Sequence, residues 1–139
     1  MAGIKASDIP KLRLKWAFNL GEVTTVRAQP TIVGGRVFLT STGGAVYSLD
    51  AKTGCTYWGF QAAPGIRSGV SVGDANGKPA AFFAEGGGTL YALNAQTGEL
   101  LWKEKPVEHF AAIATSGPRF YKGVVYQAYS SVEEALGGD

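Results

Sequence analysis

Val46-Tyr47-Ser48-Leu49-Asp50-Ala51-Lys52-Thr53-Gly54-Cys55-Thr56-Tyr57-Trp58 and Leu90-Tyr91-Ala92-Leu93-Asn94-Ala95-Gln96-Thr97-Gly98-Glu99-Leu100-Leu101-Trp102 are two versions of one text. Every matched position lies 44 residues on (Thr53 to Thr97, Trp58 to Trp102), and a third tryptophan, Trp16, stands 42 before Trp58. Each copy reads as a strand, a turn and a second strand. The Asp or Asn that opens the turn can hydrogen-bond the turn backbone, and its Gly can take the left-handed conformation a short hairpin needs. A repeat of this period built from such units marks a β-propeller. One blade cannot bury both its faces alone, so the chain reads as successive blades and not as one closed domain.

Outward from this pair, a first unit runs from about Arg27 to Gln61. Its strands are Pro30 to Val33, Arg36 to Thr40, Ala45 to Leu49 and Thr56 to Phe60, with turns at Gly34-Gly35 and Gly43-Gly44. A second unit runs from about Arg67 to Lys105. Its first hairpin is longer, Gly73 to Lys78, and contains the strong turn dipeptide Asn76-Gly77. Ala81 to Glu85, Thr89 to Leu93 and Leu100 to Lys103 supply its later strands. A third unit begins at Ala112 and offers two strands, Thr115 to Phe120 and Val124 to Tyr129, joined by Lys122-Gly123. Upstream, Leu14, Trp16, Phe18 and Leu20 alternate with Lys15, Ala17 and Asn19, which is strand periodicity with one apolar face. Residues 5–12 read as a short helical turn, with Ser7 or Asp8 as cap and Pro10 in its first turn.

The expected fold is therefore all-β. It is a partial β-propeller of about two and a half four-stranded antiparallel blades plus one N-terminal orphan outer strand. The segments are 1–26 (turn and outer strand), 27–65 (first blade), 66–111 (second blade) and 112–139 (the start of a third). Propellers close with roughly four to eight blades. The end blades are expected to expose apolar flanks, the mark of an interface. The three tryptophans fall at one place on successive outer strands, where an indole can wedge between blades.

Composition narrows the function classes. The 139 residues are 45% hydrophobic and 17% charged, so the chain forms a core. Twenty glycines and six prolines, spread along it, suit many short strands. The net charge of +2 comes without a Lys/Arg cluster, which argues against nucleic acid or an acidic membrane as partner. A single cysteine, Cys55, rules out an intrachain disulfide and a thiolate zinc site. Met1-Ala2-Gly3-Ile4-Lys5 has no apolar run behind it, so neither a signal peptide nor a membrane span is expected in this chain. The glycine pairs and Gly86-Gly87-Gly88 are hairpin turns, since no Lys-Ser/Thr on a following helix completes a phosphate loop. His109, the only histidine, lies in a loop between blades with no Ser or Cys placed to form a hydrolytic pair, and a surface role is expected.

The block Leu-Asp/Asn-Ala-x-Thr-Gly-(x)3-Trp resembles the repeat of the pyrroloquinoline quinone (PQQ) propellers, with Trp58 and Trp102 at the docking tryptophan. That repeat also builds non-enzymatic scaffolds, such as the outer-membrane assembly lipoprotein. The opening Gly3 to Phe18 resembles the start of the polyvinyl-alcohol-dehydrogenase-like quinoproteins, where it seals the last blade against the first. Arg67-Ser68-Gly69-Val70 resembles the Arg-Gly-Val segment of quinoprotein alcohol dehydrogenases. Ala114-Thr115-Ser116-Gly117-Pro118 is similar to their Ile-Thr-Gly-Ala-Pro segment, and Ser130-Ser131-Val132-Glu133 to their Ser-Gly-Ala-Glu.

The resemblance implies PQQ and Ca²⁺ as cofactors of the parent protein. It implies cofactor contacts from Arg67, Thr115 and Ser130, and a metal contact from Glu133. A guanidinium suits the carboxylates of PQQ, and a carboxylate suits a hard cation. Arg27 holds the place of Arg67 one blade earlier and is a further cofactor candidate, although the alcohol dehydrogenase branch has an acid there. Ser131 stands where the family often has Gly. Each of these residues also has a plain alternative as a solvated loop or turn residue. The implied parent oxidises an alcohol by hydride transfer to PQQ, passes electrons to a cytochrome, and is periplasmic or secreted. No catalytic residue is expected within these 139 residues, since the family's aspartate lies on later blades, so the chain alone is expected to be inactive. Two alternatives stand beside this: a cofactor-free scaffold for protein–protein contact, and an assembly of several copies that pool their blades.

Overall fold

Two four-stranded antiparallel sheets form the body of the computed structural model, which describes residues 3–21, 23 and 25–137. Met1, Ala2, Glu22, Thr24, Gly138 and Asp139, and with them the outer limits expected for the first and last segments, lie outside the described residues. Blade one is β1 (Thr31–Val33), β2 (Arg36–Thr40), β3 (Ala45–Asp50) and β4 (Thr56–Gln61), paired in that order. Blade two is β5 (Ser71–Ala75), β6 (Lys78–Ala84), β7 (Leu90–Asn94) and β8 (Leu100–Glu104), again in order. Then come β9 (Ala112–Ile113), β10 (Arg119–Tyr121), β11 (Val124–Tyr126), β12 (Ser130–Ser131) and a one-turn helix α1 (Glu133–Leu136). The expected partial propeller is the fold observed.

The turns explain why the strands stop where they do. Asn76 and Gly77 both have positive φ (54° and 79°), as do Lys122 and Gly123 (46° and 82°). These are two-residue turns whose twist matches that of the flanking strands. The first hairpin of blade two is therefore tighter than the Gly73–Lys78 loop expected, because Ala75 pairs directly with Lys78. At the outer hairpins Asp50 and Asn94 play the same part. Asp50 Oδ1 accepts from the N–H groups of Lys52 (2.9 Å) and Thr53 (2.7 Å), and Asn94 Oδ1 from those of Gln96 (2.9 Å) and Thr97 (3.2 Å). Both outer ladders shift register at the matched place, Ser48/Leu49 and Ala92/Leu93.

The third unit differs from expectation. Its paired strands are short, Arg119–Tyr121 with Val124–Tyr126, and Ser130–Ser131 turns back to pair with Ala112–Ile113. Residues 14–20 join no ladder, and the expected alternation holds only from Lys15 on: Trp16, Phe18 and Leu20 are half-buried while Lys15, Ala17 and Asn19 are exposed, and Leu14, expected on the apolar face, is exposed as well. The N-terminal turn is a 3-10 helix, Ala6–Lys11, entered from Lys5, whose N–H donates to Asp8 Oδ2 (3.0 Å). Pro10 sits in its second half, not its first turn.

Burial follows the order of the blades. Blade two lies between blade one and the third unit, and Ala80 to Ala84 are all buried. Phe83 and Tyr91 stack at 5.0 Å on the side of blade one, and Phe82 stacks on Phe120 at 5.7 Å on the other. Each such phenylalanine contributes about 1.5–3 kcal/mol by leaving water. In β10 and β11 only Phe120 and Val125 are partly covered, while Tyr121, Val124 and Tyr126 are exposed.

Tryptophan joins the blades. The Trp58 indole N–H donates to Ala95 O (3.2 Å), and a Cβ on Gly98 would lie 2.7 Å from its ring. Trp16 repeats this one blade earlier, donating to Ala51 O (3.2 Å) with Gly54 beneath it. The Ala-x-Thr-Gly turn is thus a seat for the indole of the preceding unit.

Candidate functional site

The approaches to the inner strands converge. Arg27 precedes the start of β1 by the same interval as Arg67 precedes β5 and Thr115 precedes β10. Glycine lets these segments meet backbone to backbone. A Cβ on Gly69 would lie 2.8 Å from Gln29 O, and one on Gly117 would lie 3.1 Å from Gly69 O. Thr31 Oγ1 donates to Val70 O, and Thr40 Oγ1 to Ser68 O (2.8 Å), which fixes blade one against the entry of blade two.

Two cavities open along this seam, with Arg67 and Thr115 as their shared wall. The first holds about 320 Å³ and is polar, lined by Arg27, Arg67, Arg119, Ser68 and Thr115 among others. The second holds about 430 Å³ and is mainly apolar, lined by Gly65, Gly86, Gly87, Ile113 and Val132 besides Arg67 and Thr115. Gly86 and Gly65 are close enough that a Cβ on Gly86 would stand 3.0 Å from Gly65 O. Glu85, which is buried, fixes this glycine wall by accepting from the N–H groups of Gly87 and Thr89 (2.9 Å). Tyr129 closes the same loop by donating to Gly88 O (3.0 Å), and burial, then the nearby charge of Glu85, pushes its hydroxyl above the ordinary tyrosine value.

The structure thus brings Arg27, Arg67 and Thr115 to one cavity. Ser130 and Glu133 line neither cavity, but Val132 between them lines the second, and Ser130 pairs with Ile113 of its wall. Glu133 starts α1. Its carboxylate accepts a hydrogen bond from the Ser131 hydroxyl (2.8 Å) and lies 3.1 Å from His109 Nε2. The Ala111 N–H donates to His109 Nδ1 (3.3 Å), which assigns the remaining ring proton to Nε2, facing Glu133. His109 is on the surface as expected, with this carboxylate as partner. Among the described residues no group of three or more His, Cys, Asp or Glu side chains converges, so Glu133 has no cluster of acids beside it.

Reasoning from sequence missed Arg119, Ser68 and Gly86-Gly87. Gly86-Gly87 could have been found, since the run follows the tight-turn position of Ser41 one blade on. Arg119 could not, because Thr31 and Ser71 hold its place in the earlier blades.

A family model for the PQQ repeat, described as outer membrane protein assembly factor BamB, matches residues 6–128. The polyvinylalcohol dehydrogenase of a Pseudomonas species is 41% identical over 138 residues, covering 96% of this chain and 21% of the relative. That of Sphingopyxis sp. (strain 113P3) is 39% identical over 137 residues, with the same coverage of 96% and 21%. The crystal structure of quinohemoprotein alcohol dehydrogenase from Comamonas testosteroni superposes with a TM-score of 0.79 at 24% identity, over 96% of this chain and 21% of that one, and this likeness bears on the fold. The chain therefore spans about 21% of the length of these relatives. It belongs to the PQQ-repeat β-propeller family.

Proposed function

We propose that this chain forms part of the PQQ-binding wall of an alcohol-oxidising quinoprotein of the polyvinyl-alcohol-dehydrogenase kind. The observation that carries the reading is the shared wall: Arg67 and Thr115 are the polar groups of a cavity otherwise made of glycine and apolar side chains. A largely apolar pocket with a few convergent polar groups is the usual form of a cofactor site. The donor set suits the cofactor, whose flat ring needs apolar walls and whose carboxylates need donors. Arg67 can offer two parallel N–H groups to a carboxylate, and Thr115 a hydroxyl proton. Ser130 flanks the same slot. Glu133 offers one carboxylate to Ca²⁺, with further oxygens required from outside this chain. His109 and Ser131 hold that carboxylate in place. Arg27 lines the first cavity and is not among the residues that line the second.

When bound, PQQ supplies the acceptor for hydride from the alcohol carbon. The base that takes the hydroxyl proton, and the cytochrome that takes the electrons, belong to the rest of the parent, which is periplasmic or secreted on this reading. The chain alone has no turnover. Titration of the chain with PQQ and Ca²⁺ is expected to show saturable one-to-one binding, weakened about tenfold or more in Arg67→Met, which loses a charge-assisted pair. Absence of binding, or equal binding by the variant, would overturn the reading. Alcohol oxidation by the isolated chain in a dye-linked assay would overturn the claim of inactivity.

A second reading, a cofactor-free scaffold or self-assembling module, is favoured by the exposed Tyr121, Val124 and Tyr126 at the edge of the third unit. The same titration separates the two.

A further inference from the structure

We propose that the first cavity is a second, separate site for a small oxyanion of the carboxylate or phosphate class, held by Arg27, Arg67 and Arg119. The chain has five arginines. Two are engaged: Arg13 donates to Pro10 O and Leu12 O, and Arg36 donates to Ser48 Oγ (3.0 Å) and lies over the Tyr57 ring at 4.0 Å. The other three line one cavity, and among the described residues no Asp or Glu lines it with them. The ion pair found is His109 with Glu133, so none of the three guanidiniums has a carboxylate partner among the described residues. Three formal positive charges at one place exceed the net charge of +2 of the whole chain. All three are solvent-exposed and so open to a ligand from outside, and a guanidinium is built to grip an oxyanion with two parallel N–H groups.

A second observation points the same way. Ser68 lines this cavity, is 4% exposed, and its Oγ has no hydrogen-bond partner. A buried hydroxyl that has given up its water without gaining a partner is rare in a native wall and calls for an explanation, and a ligand is one. Donors predominate in the wall, with Thr115 and Gln29 adding to the arginines beside Ala28, Pro30 and Val70. Its surface is mainly polar, where that of the second cavity is mainly apolar and suits a flat ring. The volume, about 320 Å³, suits a small anion with its remaining water. This inference stands apart from the PQQ reading, because Arg27 and Arg119 do not line the second cavity.

The test is calorimetric titration of the chain with inorganic phosphate and, separately, with succinate at low chloride. PQQ binding is measured in parallel on the same samples. Saturable binding of either anion is expected, and the preferred one names the class. Arg27→Met and Arg119→Met are each expected to weaken it about tenfold while leaving PQQ binding in place, and Arg67→Met to weaken both. Arg119→Lys keeps the charge and loses the fork, and is expected to fall between. It serves as the readout if the Met variant does not fold. No saturable anion binding, binding unchanged in both Arg27→Met and Arg119→Lys, or simple competition in which phosphate fully displaces PQQ would each overturn the proposal.

Discussion

Gly98 has two reasons to be glycine, and they can be measured together. Its φ of 79° lies in the left-handed region, and the indole of Trp58 lies where a side chain would begin. Strain of that kind costs about 1–2 kcal/mol and overpacking about 1–3 kcal/mol. Gly98→Ala is therefore expected to lower unfolding free energy by about 2–4 kcal/mol in urea titration, with loss of near-ultraviolet signal from Trp58. Gly77 is the comparison: its φ is also 79°, but nothing lies within 4 Å of its missing Cβ. Gly77→Ala is expected to show only the backbone share. The pairing of Trp with the turn was legible as a spacing of 44 residues, but the direction of the contact was not. Spacing says that two features recur; which one reaches the other depends on how the sheets stack.

At the scale of one hairpin, Asp50 and Asn94 make the same turn with and without a charge. Hydrogen bonds from Tyr57 and Thr53 lower the Asp50 carboxyl from 3.8 to about 2. A group whose pKa is lowered by folding stabilises the native state above its unfolded value and ceases to do so as pH falls through the folded one. The blade-one turn is thus expected to hold fully above about pH 4 and to loosen between there and about pH 2. Amide exchange should show Lys52 and Thr53 losing protection in that window, while Gln96 and Thr97, held by Asn94, do not. Asp50→Asn should abolish the difference. Elements of this kind were readable because a turn depends on its own residues: Asn76-Gly77, Lys122-Gly123 and the Asp/Asn-Ala-x-Thr-Gly blocks all turn where expected. The third unit was read less well. Ser116 and Gly117 look like strand residues, but Gly117 is held against Gly69 of the neighbouring blade, so Thr115 to Pro118 follow that contact and not a ladder. The return of Ser130–Ser131 to Ala112–Ile113 is a pairing across a long interval that no local pattern announces.

For the molecule as a whole, burial fades away from the centre. Blade two is covered on both faces, while Tyr121, Val124 and Tyr126 at one end and Ile32 and Val33 near the other are exposed. Apolar surface of this extent usually marks an interface. The chain is expected to bind a hydrophobic dye and to scatter light more strongly as its concentration rises, and Val124→Lys with Tyr126→Lys should reduce both. A well-dispersed monomer without dye binding would contradict it. The candidate site was partly legible for the same reason as the fold: Arg27, Arg67 and Thr115 occupy one repeated position, so the repeat carried them to one seam. Arg119 occupies a place that the repeat does not mark, and only the meeting of three sheets reveals it. The tryptophan contacts, finally, give the chain a grain. Trp16 and Trp58 each latch onto the blade that follows and never onto the one behind. Copying this cassette of forty-odd residues downstream brings its own fastener with every copy, so such a wheel can be lengthened by duplication without inventing a new joint.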